Sequence, residues 1–149
     1  MSLHEPANIR RENLAEALAM YQFFRDVDDE LAWIRDKRPV AESTDLGSSL
    51  VAVQNLMKKH QALEKEIIAH EPLIDKVASA ARSMIKSKHF ASSDIEKRLD
   101  EVHDELKSLK ESSSNRRLKL QEALESQKVS HGCCDYFISC ALLLIIVRL

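Results

Sequence analysis

Six histidines, three cysteines and a scatter of carboxylates are the groups with which this chain could do chemistry. His60 and His70 come first, as metal ligands. Zinc would need both on one face with two more ligands close by. Ten positions along a helix separate them by about 15 Å. Histidines that each hydrogen-bond a neighbour in or beside a core are therefore expected, and no metal. Asp26, Asp28, Asp29 and Glu30 form an acidic run. A calcium loop sets such ligands on a turn with glycine at a fixed place, whereas this run has a helical pattern and reads as a solvated face. Trp33 could stack on a ligand, but beside a heptad-like stripe its expected role is packing. Truncating it to Ala should cost about 3–5 kcal/mol if the ring is fully buried. Lys58-Lys59 and Arg116-Arg117 with Lys119 are small basic patches, suited to lipid headgroups or an acidic partner, or to ordinary charge pairing along a helix. No glycine-rich loop, nucleophile elbow or zincin pattern accompanies any of these groups. The expectation is no catalytic residue, no cofactor, no metal and no enzyme.

The elements that would hold these residues are helices. Charged residues make up 31% of the 149 residues and aromatics 5%, with two glycines and three prolines. That is the profile of long helices. The formal charge of -2 leaves no basic excess with which to grip nucleic acid. All three cysteines fall at Cys133, Cys134 and Cys140. A disulfide framework is thus excluded for the body, and a reducing, cytosolic setting fits. Met1 to Glu16 is polar and charged, unlike a secretory leader.

Ala17, Met20, Phe24, Val27, Leu31 and Ile34 recur at steps of three and four. They predict a first helix over about Ile9 to Arg38, ended by Pro39. A second helix is predicted from about Leu46 to Lys88, with Ser43, Thr44 and Asp45 as candidate caps. Its stripe includes Val53, His60, Leu63, Ile67, His70, Ile74 and Ala81, and Pro72 should kink or divide it. His89 to Ser93 is the next connection, Ser92 or Ser93 can cap the third helix, and Ser93 with Glu96 reads as a capping box. Ile95, Leu99, Val102, Leu106 and Leu109 carry the seam of a third helix. Ser112 to Asn115 weakens that seam, and Leu120 and Leu124 resume it. Three long helices with short connections must run up, down and up, with their stripes meeting in one core. The fold class is all-α, a left-handed antiparallel three-helix coiled coil about 50 Å long.

The chain also begins to repeat itself. Arg10, Arg11, Leu14, Glu16, Ala17 and Leu18 return 106 positions later as Arg116, Arg117, Leu120, Glu122, Ala123 and Leu124. Self-similarity at a fixed offset marks a repeat array. One full unit and the end of the unit before it are expected.

With that period, Trp33 in Glu30-Leu31-Ala32-Trp33-Ile34, the run Asp45-Leu46-Gly47, the stretch Val53 to Glu64, His70-Glu71-Pro72 and the turn His89-Phe90-Ala91, the chain resembles the spectrin repeat family. The likeness covers about Asn8 to Gln127 and is greatest to a non-erythroid spectrin alpha chain. The family usually has a second tryptophan in its third helix. Leu106 stands at that position here and should pack more loosely. The resemblance implies residues 1–19 as the end of a preceding repeat's last helix, 20–127 as the repeat and 128–149 as a tail outside it. Phe24, Leu31, Trp33, Leu63 and Leu106 lead the expected core. It implies a structural rod segment of a submembrane, actin-linked cytoskeleton in the cytoplasm, at the cell cortex. Its partners would be a second spectrin chain and neighbouring repeats, with the actin network reached indirectly and no nucleic acid.

The tail carries an apolar run of 12 residues, Tyr136 to Val147. A spanning helix needs about 20. One reading is shallow membrane contact aided by S-acylation at Cys133 or Cys134, which would make the protein a membrane-attached helical adaptor. The other is a segment outside any evolved domain, as translation past a splice junction or a truncated gene model would give. The abrupt break inside a helix favours the second.

Overall fold

A computed structural model describes residues 4–87 and 90–146, with side chains described for 6–87 and 90–130. Three helices fill it: α1 His4–Glu42, α2 Leu50–Lys86 and α3 Ser92–Ile146. All three pairs of helices pack on one another. Among the described residues there is no strand.

Alternating steps of four and three put one side of each helix into a shared core. From α1 come Phe23, Val27, Leu31, Ile34 and Ala41. From α2 come Leu63, Ile67, Ile74, Ala78 and Ala81, from the turn before α3 Ala91, and from α3 Ile95, Leu99, Val102, Leu106 and Leu109. Val27, Ile34 and Ile95 have no exposed surface. Each such side chain adds about 1.5–3 kcal/mol of burial, and these terms dominate the helices' own marginal propensity. Of the expected core residues, Leu31, Leu63 and Leu106 are buried, while Phe24 and Trp33 pack against the core from its rim. The inner aromatic position belongs to Phe23, whose ring meets Phe24 at 5.5 Å between centroids.

Three boundaries differ from the sequence expectation. Pro39 does not end α1, which continues to Glu42. A proline this close to a helix end forfeits one bond, to the carbonyl four residues back, while the extra turn buries Ala41. Helix α2 starts at Leu50, not Leu46. Gly47 has φ +79°, outside the helical region, and a Cβ there would stand 2.9 Å from the Val53 amide nitrogen. The cap is Ser49, whose Oγ accepts from the Ala52 amide at 3.2 Å. Asp45 instead shapes the loop, its Oδ1 accepting from the Gly47 amide at 3.0 Å. Helix α3 begins at Ser92, and the Ala91 carbonyl accepts from the amides of Asp94 and Ile95 at 3.0 Å. His89 in the expected connection lies outside the described residues. Pro72 lies inside α2 without dividing it. It sits on the exposed side of the helix.

Ion pairs tie the outer edges. Lys37 meets Glu66 at 2.6 Å, Arg98 meets Asp28 at 3.1 Å, and Arg38–Glu105 and Lys110–Glu71 close two more crossings. At this exposure each contributes at most about 1 kcal/mol, so they refine helix register and do not hold the fold.

Candidate functional site: a polar layer and an open helix face

The seam of α3 does not lapse after Leu109. Counting on by four and three gives Ser113, Arg116 and Leu120, and all three are buried. Ser113 and Arg116, with His60 from α2, are the buried polar residues among those described. They form a polar layer across the bundle. On one side lies the main core, and on the other Val53 and Leu120, both without exposed surface.

His60 is 2% exposed. Its Nε2 lies 3.4 Å from Ser113 Oγ and 3.7 Å from Glu64 Oε1, while Nδ1 is buried with no partner. A proton on Nε2 lets that nitrogen donate to Ser113 and leaves only a lone pair unmatched at Nδ1. The opposite tautomer would bury an unmet N–H, the costlier arrangement. Burial holds the imidazole below its ordinary value of 6.5. Glu64 and the Ser113 hydrogen bond oppose that shift, and Arg116 and Arg117 reinforce it.

Arg116 crosses to the far end of α1. Its Nη1 donates to the Val40 carbonyl and its Nη2 to the Asp45 carbonyl at 3.4 Å. The last carbonyls of a helix lack intrahelical donors and carry partial negative charge, so a forked cation is the fitting cap. This also explains how α1 ends beyond Pro39. The basic patch expected at Arg116, Arg117 and Lys119 is therefore dismantled. Arg116 is spent on carbonyls, and Arg117 faces Glu64 at 3.6 Å. The sequence signal for this layer was the unbroken four–three count through Ser113 and Arg116.

Trp33 and His70 form a second contact, between α1 and α2. Their rings stack at 3.7 Å and 8°, and His70 Nδ1 lies 2.9 Å from Glu30 Oε2. His60 and His70 are thus held in separate settings. The acidic run is divided as well: Asp26 accepts from Gln22 at 2.9 Å, Asp28 pairs with Arg98, and Glu30 meets His70. Among the described residues no three metal-ligating side chains converge.

The third feature is a face without a neighbour. On α1, Leu14, Leu18 and Tyr21 share one face and are between 66% and 69% exposed. Met20 is the first α1 residue packed against the core.

A three-helix bundle with these seams matches the family model for the spectrin repeat over residues 18–122. The chain belongs to the spectrin repeat family. Among its relatives, mouse erythrocytic spectrin alpha chain 1 is 40% identical over 119 residues, which are 80% of this chain and 5% of that protein. Human non-erythrocytic spectrin beta chain 5 is 37% identical over 127 residues, 85% of this chain and 4% of that protein. Mouse erythrocytic spectrin beta chain is 34% identical over 128 residues, 86% and 6% respectively. The spectrin repeat here therefore spans about one-twentieth of the length of the curated relatives it matches, and resembles alpha and beta chains alike. Among the described residues no helix is long and apolar enough to cross a membrane. The expected lipid contact of the tail falls on side chains from residue 131 onward, outside those described.

Proposed function

We propose that this chain is a load-bearing rod segment of a spectrin-type cytoskeletal scaffold. Residues 1–19 are the end of a preceding unit's last helix, 20–127 the repeat, and 128–149 a tail outside it. The observation that carries this reading is that α1 overshoots the bundle: it starts at His4, far ahead of its first core residue Met20. A helix that leaves one bundle and enters the next passes tension along its hydrogen bonds without a flexible joint. The core residues Leu31, Leu63 and Leu106, with Phe24 and Trp33 at the rim, then resist that tension by packing. A second spectrin chain and neighbouring repeats are the partners, with actin reached through the rest of the rod, in the cytoplasm beneath the plasma membrane. The relatives, spectrin alpha and beta chains, support spectrin chains and repeats as the partners. The adaptor reading rests on the tail alone. Membership of the spectrin repeat family supports a mechanical role.

Pulling the full chain by its two ends in a single-molecule instrument tests the reading. One cooperative unfolding event should appear in each cycle and return after relaxation. Gradual extension without an event, or failure to refold on release, would sink it.

A further inference from the structure

The cap on α1 leaves a buried charge without a counterion. Arg116 is 7% exposed, and its guanidinium donates to the Val40 and Asp45 carbonyls. Its Nε is buried with no partner. Among the described residues no ion pair engages Arg116 or Lys119. A buried cation ordinarily sits beside a carboxylate, because its desolvation is otherwise poorly repaid. The end of α1 offsets part of this charge, with roughly half an elementary negative charge. The remainder is uncompensated.

A cleft opens on that charge. It has a volume of about 490 Å³ and lies between the α1–α2 loop and α3. Ser43 and Thr44 line it from the loop, and Ser112, Asn115, Arg116 and Lys119 line it from α3. Ser112 and Lys119 lie one turn before and one turn after the Asn115-Arg116 pair, so these side chains share a helix face. Ser43 Oγ accepts from the Asp45 amide at 3.4 Å, which leaves its own hydrogen to donate. Asn115 and Lys119 are exposed, with amide and ammonium donors to offer. Glu42 brings the one carboxylate of the lining, and it too is exposed. Two cations against one carboxylate and a helix end leave the cleft positive.

We propose that this cleft binds a phosphate group, as the free ion or as a small soluble monoester. Arg116 supplies charge from the floor, held in place by the carbonyls it caps. Lys119, Asn115 and the hydroxyls of the facing walls donate to the oxygens. A carboxylate presents its oxygens in one plane. A phosphate presents them on several sides, which suits donors on two facing walls. Binding ties the α1–α2 loop to α3, so the bundle gains stability with ligand concentration. The proposal does not depend on the rod reading.

The test titrates the full chain with inorganic phosphate and with glycerol 3-phosphate. Chloride holds the ionic strength constant, and amide chemical shifts report the binding. At least one of the two ligands should saturate a single site, with shifts confined to residues 41–46 and 112–119. Lys119→Gln should weaken that binding about tenfold or more. Lys65→Gln, an exposed position on α2 outside the cleft, should leave it unchanged. Arg116→Gln would also remove the cap on α1, so Lys119→Gln carries the test. Equal affinity for the two ligands supports a site for the free ion, and tighter binding of the ester supports a site for the monoester. Shifts that grow without saturating for both ligands, or binding that Lys119→Gln leaves unchanged, overturn the proposal.

Discussion

His60 keeps its ring inside the bundle with Nδ1 unmatched, so the folded state takes up a proton less readily than the unfolded chain. Its contribution to stability is complete above the unfolded value of about 6.5 and is lost as pH falls through the lower folded value. Urea midpoints measured at about pH 7.5 and pH 5.5 should fall further for the wild-type chain than for His60→Gln. Equal falls would place the titrating group elsewhere. Trp33 works differently. Its ring is only half-buried and draws part of its hold from the stack on His70. Trp33→Ala should then cost about 2 kcal/mol, short of the ~3–5 expected for a fully buried ring. Chemical denaturation of the variant measures this directly.

Among the elements, the loop between α1 and α2 is the one under the tightest steric rule. Gly47 adopts φ +79°, and its missing Cβ is what lets the loop close on the Val53 amide at the start of α2. Gly47→Ala should destabilise the bundle by about 1–2 kcal/mol through strain at positive φ. A thermal melt showing no change would mean that the loop has another conformation open to it. Ser49→Ala, which removes the cap alone, should cost about 1 kcal/mol. The same loop meets Arg116 from α3, so three elements meet at this corner. Pro39 illustrates the reverse case. Its local preference to stop a helix is outweighed by burial of Ala41 and by an external cap on Val40.

For the molecule as a whole, the polar layer divides the bundle into a long main core and a short end closed by Val53 and Leu120. Leu120→Ala should cost about 2–5 kcal/mol, whereas Leu14→Ala, its counterpart 106 positions earlier, should stay within about 0.5 kcal/mol in the isolated chain. The pair makes a clean comparison, because the residue type and the helical setting are the same. Equal losses would mean that Leu14 already has a neighbour in the single chain. Raised salt should change little, since the helix-to-helix ion pairs are exposed and weak.

Periodicity by itself determined that this chain forms three helices with one shared core. The steps of three and four, the scarcity of glycine and the offset of 106 are properties of the string, and they map onto a helix face by geometry alone. The family resemblance rested on the same local patterns. Tertiary structure alone decided which side chains the bundle uses. Phe23 lies inside and Phe24 at the rim because the facing helices decide between adjacent positions of one stripe. The serines after Leu109 read as a weakened seam, yet Ser113 and Arg116 occupy seam positions because His60 and two carbonyls lie across from them. Arg10 and Arg116 open the same repeated motif, and one is open while the other is buried. A helix face is apolar or polar by composition, but whether it is covered depends on helices far away in the chain, and a local pattern does not contain them.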